Sequence, residues 1–188
     1  MAILDNLGAP IQEKDVPIWG VVKKWGLISA LVGIVFQLIQ QVTGVMSQSG
    51  GIIALYTIVT IGVSVAIYVM ALREHREQEL GGFMTFKRAF YLAFMIGIAS
   101  TIVVLVFNYV YMNFINQGAM EAQLEITRGM MEKFGMPEDQ LDAAVEKQRQ
   151  SLASPMSIVT GLLGAGVVVA ILSLIMGAVM KKERPMFQ

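Results

Sequence analysis

Three amide side chains inside long apolar runs are the residues of this sequence best placed for polar chemistry. Gln37 and Gln41 lie in the first run, and Asn108 lies in the third run at a comparable depth. An unpaired amide in hydrocarbon is costly, so we expect these side chains to hydrogen-bond across two helices. The resulting intramembrane polar cluster either joins helices or forms a substrate or ion site, and polar contacts in membranes more often join helices.

Groups for most other chemistries are absent or lie outside the apolar runs. The chain has no cysteine, which excludes disulfides, thiolate nucleophiles and cysteine metal sites. Its single histidine, His75, follows the second run beside Arg76 and Glu77 and is expected to be solvated. No apolar run contains an ionisable side chain of the kind that proton relays and ion-coupled carriers use. We therefore predict no catalytic residue, no cofactor, no metal and no enzymatic activity.

Composition and the length of the apolar runs predict a membrane protein. Of 188 residues, 55% are hydrophobic and only 15% are charged, which is too apolar for an ordinary soluble domain. We expect one all-α domain over residues 1–188, an integral membrane four-helix bundle with lipid as its partner. A net charge of zero gives no support for a nucleic-acid partner. The four stretches long enough to span a bilayer are 26–45, 51–72, 89–114 and 157–180.

The positive residues predict that both termini lie in the cytoplasm. Ten fall on one side of the spans and four on the other, and cytoplasmic loops are the positively charged ones. The ten are Lys14, Lys23, Lys24, Arg73, Arg76, Lys87, Arg88, Lys181, Lys182 and Arg184, and the four are Arg128, Lys133, Lys147 and Arg149. The bases of the cytoplasmic turn are candidates for contact with anionic lipid headgroups: Arg73, Arg76, Lys87 and Arg88.

The outer loop, residues 116–155, is predicted to form an extracytoplasmic helical hairpin. Apolar residues recur at helical spacing on both sides of Gly135 and Pro137, which suit the end of one helix and the start of the next. The apolar stripe of this hairpin needs a surface to cover it. Its own bundle, the membrane interface and another subunit all remain open.

Small residues mark the helix faces expected to pack closely. The first span carries Gly33 on the same face as its amides, and the third carries Gly97 in a stripe of small residues. The fourth has two small faces, with Gly161 and Ala165 on one of them, so it can contact two neighbours. This pattern favours either a compact four-helix core or a core with a subunit contact.

The order of these features resembles a bacterial membrane-protein family, domain of unknown function 4199. The residues that carry the resemblance are the turn GGFMTFKRAF, the third span ending near Asn108-Tyr109 and Tyr111, and the last span ending ILSLIMGAVMKK. The resemblance covers about residues 25–182. It implies a multi-pass protein of the bacterial inner membrane with four helices and no assigned activity, and it transfers no functional residue.

Two interpretations of function follow. The first is a structural or accessory helical bundle that self-associates as a homo-oligomer or joins a larger membrane complex. The alternative is a small channel or transporter with a neutral polar path between helices or protomers, because pores can be lined by uncharged groups. A tightly packed core would favour the first, and a path lined by polar residues would favour the second.

Overall fold

The computed structural model describes residues 12–183, except the side chain of Ser47. The predicted domain therefore extends beyond the described residues at both ends, and Arg184 lies outside them. The described part contains six α-helices. They are α1 (Trp19–Thr43), α2 (Gly50–Glu74), α3 (Phe86–Val110), α4 (Gln117–Lys133), α5 (Glu138–Ala153) and α6 (Met156–Met180).

Four of these helices, α1, α2, α3 and α6, are long and apolar enough to cross a membrane. They match the predicted spans to within a few residues, except that α1 begins at Trp19 and not at Gly26. The first turns of α1 are helical because Val21, Val22 and Trp25 are buried against the other helices. α2 and α3 each continue through a short π-helical turn, to Glu79 and Ile115 respectively.

α3 is the central helix and packs most extensively against α6 and α1. The core is concentrated at one end of the molecule, where Leu72, Leu92 and Ile96 are fully buried. We call this end the charged end because residues 13–25, 74–88 and 180–183 meet there. The opposite end, which carries α4 and α5, is called the hairpin end.

Hydrogen bonds and ion pairs join the segments of the charged end. Lys24 Nζ donates to both carboxylate oxygens of Glu74, at 2.9 and 2.7 Å, and the indole of Trp25 donates to the same carboxylate at 3.1 Å. Glu13 accepts hydrogen bonds from the amide and the hydroxyl of Thr85, both at 2.6 Å. These contacts fix the start of α1 and the preceding segment against the turn between α2 and α3.

The two helices predicted for the outer loop are present as α4 and α5. Gly135 follows α4 with a φ of 79°, a left-handed conformation that glycine adopts without strain. Leu124 and Leu141 are buried, which accounts for part of the predicted apolar stripe. By contrast, Phe134 at the tip of the hairpin is 85% exposed.

An ion pair across the hairpin predicts a pH dependence. Arg149 donates two hydrogen bonds to the Glu121 carboxylate, at 2.5 and 2.7 Å, and these lower the pKa of Glu121 below its ordinary 4.5. Because this pKa is depressed in the folded state, the pair stabilises the hairpin at neutral pH and stops doing so as the pH falls through the folded pKa.

We expect Glu121→Gln to lower the melting temperature slightly at pH 7, because this pair is exposed to solvent. The difference from wild type should vanish at an acid pH where Glu121 is protonated in both states. Melting curves of the two proteins over a pH series measure it. A difference that stays constant from neutral to acid pH would contradict this role for the pair.

Candidate functional site

A partly open cavity of about 350 Å³ is lined by residues of all four long helices, α1, α2, α3 and α6. We call it the central cavity. Its apolar walls include Val32, Phe36, Ile67 and Leu172. Its lining contains no ionised side chain. Its polar groups are the six hydroxyls of Ser29, Thr60, Ser64, Tyr68, Ser100 and Thr101.

Three of the six hydroxyls are satisfied by their own helices. Thr60 donates to the carbonyl of Tyr56 at 2.9 Å, and Ser64 donates to the carbonyl of Thr60 at 2.8 Å. Ser100 donates to the carbonyl of Gly97 at 3.0 Å. This bonding back to the preceding turn is the usual way in which hydroxyls are accommodated in an apolar helix. These three oxygens can still accept hydrogen bonds from a bound molecule.

The other three hydroxyls have no hydrogen-bond partner within residues 12–183. The Ser29 oxygen is buried and unpaired. Tyr68 and Thr101 also make no hydrogen bond to the described chain, although the Tyr68 side chain crosses from α2 to the position of Gly97 on α3. Unpaired hydroxyls are costly in a membrane interior, where bulk water does not compensate them.

A second cavity, of about 360 Å³, lies towards the hairpin end between α3, α5 and α6. We call it the hairpin-end cavity. It is lined largely by neutral polar side chains, namely Asn108, Tyr109, Gln148, Ser151, Ser157 and Thr160. α5 contributes to its wall, so the hairpin takes part in forming a polar space next to the long helices.

The two cavities follow one another along α3 and share one wall residue, Leu105. The Leu105 side chain rests on Gly161 of α6, and a Cβ atom added at Gly161 would lie 2.8 Å from Leu105 Cδ2. The absence of a side chain at Gly161 therefore leaves room for Leu105. Leu105, at the α3–α6 contact, therefore forms part of the wall of both cavities.

The structure joins two of the three predicted amides. Gln37 Nε2 of α1 donates to Asn108 Oδ1 of α3 at 2.6 Å. Gln41 does not join this pair, and its carbonyl oxygen is buried without a hydrogen-bond partner in the described chain. Asn108 also lines the hairpin-end cavity.

We expect Asn108→Ala to destabilise the protein by about 1 kcal/mol, because it leaves the Gln37 amide unpaired and measured contacts of this kind are of that size. Unfolding in mixed micelles measures this loss, and the double variant Gln37→Ala/Asn108→Ala separates the coupling between the two amides. Strictly additive single effects would show that the hydrogen bond contributes nothing.

The prediction of a solvated His75 is wrong. His75 is fully buried (0% exposed), because α2 continues past Leu72 and its π-helical turn places the imidazole inside the charged end. Arg88 Nε donates to His75 Nε2 at 3.0 Å, and His75 Nδ1 lies 3.0 Å from a Glu79 carboxylate oxygen. Since a guanidinium cannot accept, Nε2 is the acceptor and a neutral imidazole carries its proton on Nδ1.

The four candidate lipid-binding bases fall into two pairs. Arg88 also donates to the carbonyl of Val16, and Arg76 donates to the carbonyl of Met180 at 3.3 Å and to Glu77 at 3.0 Å. These two guanidinium groups are engaged by the protein. Arg73 and Lys87 are exposed and make no hydrogen bond or ion pair with the described residues, so lipid contact stays a prediction for them.

The predicted packing residues lie at contacts between helices or in the central cavity. An added Cβ at Gly97 would clash with Val169 and lie 2.6 Å from the Tyr68 hydroxyl oxygen. Gly33 lies near Val104 at the cavity wall, and Ala165 lines the cavity from α6. Gly161, as described above, receives Leu105.

The sequence alone did not single out the six hydroxyl residues of the central cavity, because serine, threonine and tyrosine are ordinary residues of a membrane helix. A signal was present on α2, where Thr60, Ser64 and Tyr68 recur at a spacing of four and share one face. No group of three or more His, Cys, Asp or Glu side chains that could hold a metal ion occurs within residues 12–183.

Comparison with known proteins identifies the family. The sequence profile of the protein of unknown function family DUF4199 matches residues 24–182. The chain belongs to this family. No curated protein and no solved structure matches the chain. Family membership and the four apolar helices make the chain a membrane protein, as the resemblance seen in the sequence implied.

Proposed function

We propose that this DUF4199 protein moves a small uncharged solute through the membrane along a path between its own helices. The observation that carries the proposal is the succession of two cavities along α3 and α6 that share Leu105 in their walls. The central cavity is mostly apolar with six hydroxyl groups, and the hairpin-end cavity is lined largely by neutral polar side chains. At the charged end the path is closed by the packed core. A path closed at one end is typical of a transporter that opens its two ends alternately. An open channel would instead contain a continuous path from one end to the other.

The charge distribution supports an uncharged solute. The central cavity is lined by hydroxyl and apolar groups, and the hairpin-end cavity by hydroxyl, amide and apolar groups. Neither lining contains an ionised side chain to balance a charged solute. An ion without a counter-charge or a hydration shell is expensive to hold at this depth. The path therefore suits a molecule that hydrogen-bonds without carrying charge.

The proposal includes an orientation and a location. Both termini lie in the cytoplasm, and the charged end faces it, since ten of the fourteen Lys and Arg residues of the sequence lie at that end of the chain's spans. The membrane is the bacterial inner membrane, and the four long helices form the bundle that crosses it. α4 and α5 then lie on the opposite side, where the hairpin-end cavity would receive solute.

Flux through proteoliposomes tests the path. We expect vesicles containing the wild-type protein to take up glycerol faster than protein-free vesicles, as measured by light scattering after an osmotic step. Leu105→Ala widens the passage between the cavities and should raise glycerol permeability several-fold, because solute then reaches the central cavity more easily each time the charged end opens. Sodium permeability should not rise, because the path offers no ionised group.

Val106→Ala is the matched control, because Val106 is the next residue of α3 and its side chain is exposed on the helix bundle surface. It should leave glycerol permeability at the wild-type value. Size-exclusion profiles show whether each variant is folded. A folded Leu105→Ala protein with the permeability of Val106→Ala would overturn the proposed path.

A second function, that of a self-associating accessory bundle, is favoured by the hairpin-end half of α2. All buried residues of α2 lie beyond position 66, whereas Leu55 is 63% and Ile58 is 67% exposed. An added Cβ at Gly62 would meet no atom within 4 Å. In this half Tyr56 contacts α1, since its ring packs edge-on against Phe36 and its hydroxyl donates to the Phe36 carbonyl. A second copy of the chain could pack on such a surface.

Cysteine cross-linking tests this second function, since the natural chain has no cysteine. Self-association through α2 predicts that Ile58→Cys forms a disulfide-linked dimer on mild oxidation in membranes. Ile102→Cys, at an exposed position of α3, should remain monomeric. Monomers for both variants would argue against association through this face.

A further inference from the structure

We infer that the central cavity is a binding site for an uncharged molecule that has an apolar body and a hydroxyl or carbonyl oxygen, with Tyr68 as its main hydrogen-bond donor. The inference deepens the proposed function and rests on it, because it assigns the ligand class to the same path. It follows from which hydroxyls of the cavity remain unpaired.

The size of the cavity suits a small organic molecule. About 350 Å³ is near the lower end of the range for ligand pockets in proteins, and the same space would hold about ten waters. The apolar walls formed by Val32, Phe36, Ile67 and Leu172 favour an apolar body over water alone. A ligand that fills this space would contact all four long helices.

The hydrogen bonds already made by the hydroxyls of the central cavity determine which polar group a ligand needs. Thr60, Ser64 and Ser100 have already donated their protons to backbone carbonyls. Ser29, Tyr68 and Thr101 retain theirs and have no partner in the described chain. A ligand therefore meets three free donors, and an oxygen that accepts from them satisfies groups that are otherwise unpaired.

Tyr68 is the best placed of the three donors. Its side chain extends from α2 to α3, where Gly97 leaves the space that its hydroxyl occupies. A phenol hydroxyl is also a stronger hydrogen-bond donor than an aliphatic hydroxyl. The rigid ring holds this donor in one place, which lowers the entropy lost when a ligand binds.

Equilibrium binding to the full chain in lipid nanodiscs tests the inference without a solute gradient. The probes are 2-naphthol, naphthalene and 2-naphthoate, which share a ring system and differ in the polar group. We expect 2-naphthol to bind above the background of empty nanodiscs. Naphthalene should bind at least several-fold more weakly because it lacks an oxygen, and the naphthoate anion should not bind.

Tyr68→Phe should weaken 2-naphthol binding by about tenfold, the loss typical of one hydrogen bond. Tyr91→Phe is the control, because Tyr91 is an exposed tyrosine of α3 outside the cavity. Equal affinity of 2-naphthol for wild type and Tyr68→Phe would overturn the inference, as would equal binding of all three probes or no binding to wild type. If 2-naphthol binds selectively but Leu105→Ala has the wild-type glycerol permeability, the proposed path is wrong and the binding site in the central cavity stands.

Discussion

Gly97→Ala should destabilise the protein by about 1–3 kcal/mol, the usual cost of an extra group in a packed interior. The new methyl group would clash with Val169 of α6 and lie 2.6 Å from the Tyr68 hydroxyl oxygen of α2. Val169 is a short, branched side chain that cannot turn away, so α3 and α6 must move apart. Unfolding by SDS in mixed micelles measures the change.

Gly62→Ala provides the matched control on α2. A Cβ at Gly62 meets no atom within 4 Å, and alanine has the higher helix propensity, so this substitution should be neutral or slightly stabilising. Equal unfolding curves for the Gly97 and Gly62 variants would show that α3 and α6 do not depend on close approach at Gly97.

Arg88→Ala should lower stability by about 3 kcal/mol, because it removes two charge-assisted hydrogen bonds. The buried His75 Nε2 would lose its donor, and the carbonyl of Val16 would lose its partner. The segment before α1 and the π-helical turn after α2 would then lose a common attachment. Thermal unfolding in detergent measures the effect.

Lys87→Ala tests whether any lost positive charge at this turn has the same effect. Lys87 is the neighbouring base and is exposed, so its removal should change stability by less than about 0.5 kcal/mol. If the Lys87 and Arg88 variants have the same melting temperature, the contacts of Arg88 with His75 and Val16 do not stabilise the charged end. His75→Ala should cost less in the Arg88→Ala background than in the wild type, since the contact between the two side chains is already lost there.

Helix number and position were predictable because a membrane span requires about 20 apolar residues, and hydropathy reports this directly. The start of α1 was not predictable in this way. Lys23 and Lys24 interrupt the apolar run, yet the helix begins at Trp19, since Val21, Val22 and Trp25 have a surface to pack on. Hydropathy marks where a chain can lie in hydrocarbon and does not mark where its helix ends.

The candidate site was predictable only in part. Pairing of Gln37 with Asn108 follows from equal depth and the cost of an unpaired amide. Burial of His75 does not follow from its charged neighbours, because it depends on a π-helical turn and on contact with Arg88 of another helix. The central cavity depends on how α2 lies against α3, which the sequence pattern of either helix alone does not specify.

The most direct test of the proposed path is the reactivity of a thiol placed in the central cavity. If water and a thiol reagent enter from the hairpin-end cavity past Leu105, removal of the Leu105 side chain should make this thiol react faster. Ser100→Cys places a thiol in the central cavity, and Thr160→Cys places one in the hairpin-end cavity. The natural chain has no cysteine, so each introduced thiol reacts alone. Thiols react as thiolates, which form where water is present.

The measurement is the rate of N-ethylmaleimide labelling in membranes. Thr57→Cys, at an exposed position of the apolar helix α2, is the slow reference. The account predicts that Thr160→Cys labels quickly whether residue 105 is leucine or alanine. It predicts that Ser100→Cys labels at least tenfold faster in the Leu105→Ala background than with Leu105 present. An unchanged rate for Ser100→Cys in that background would contradict a path that Leu105 divides.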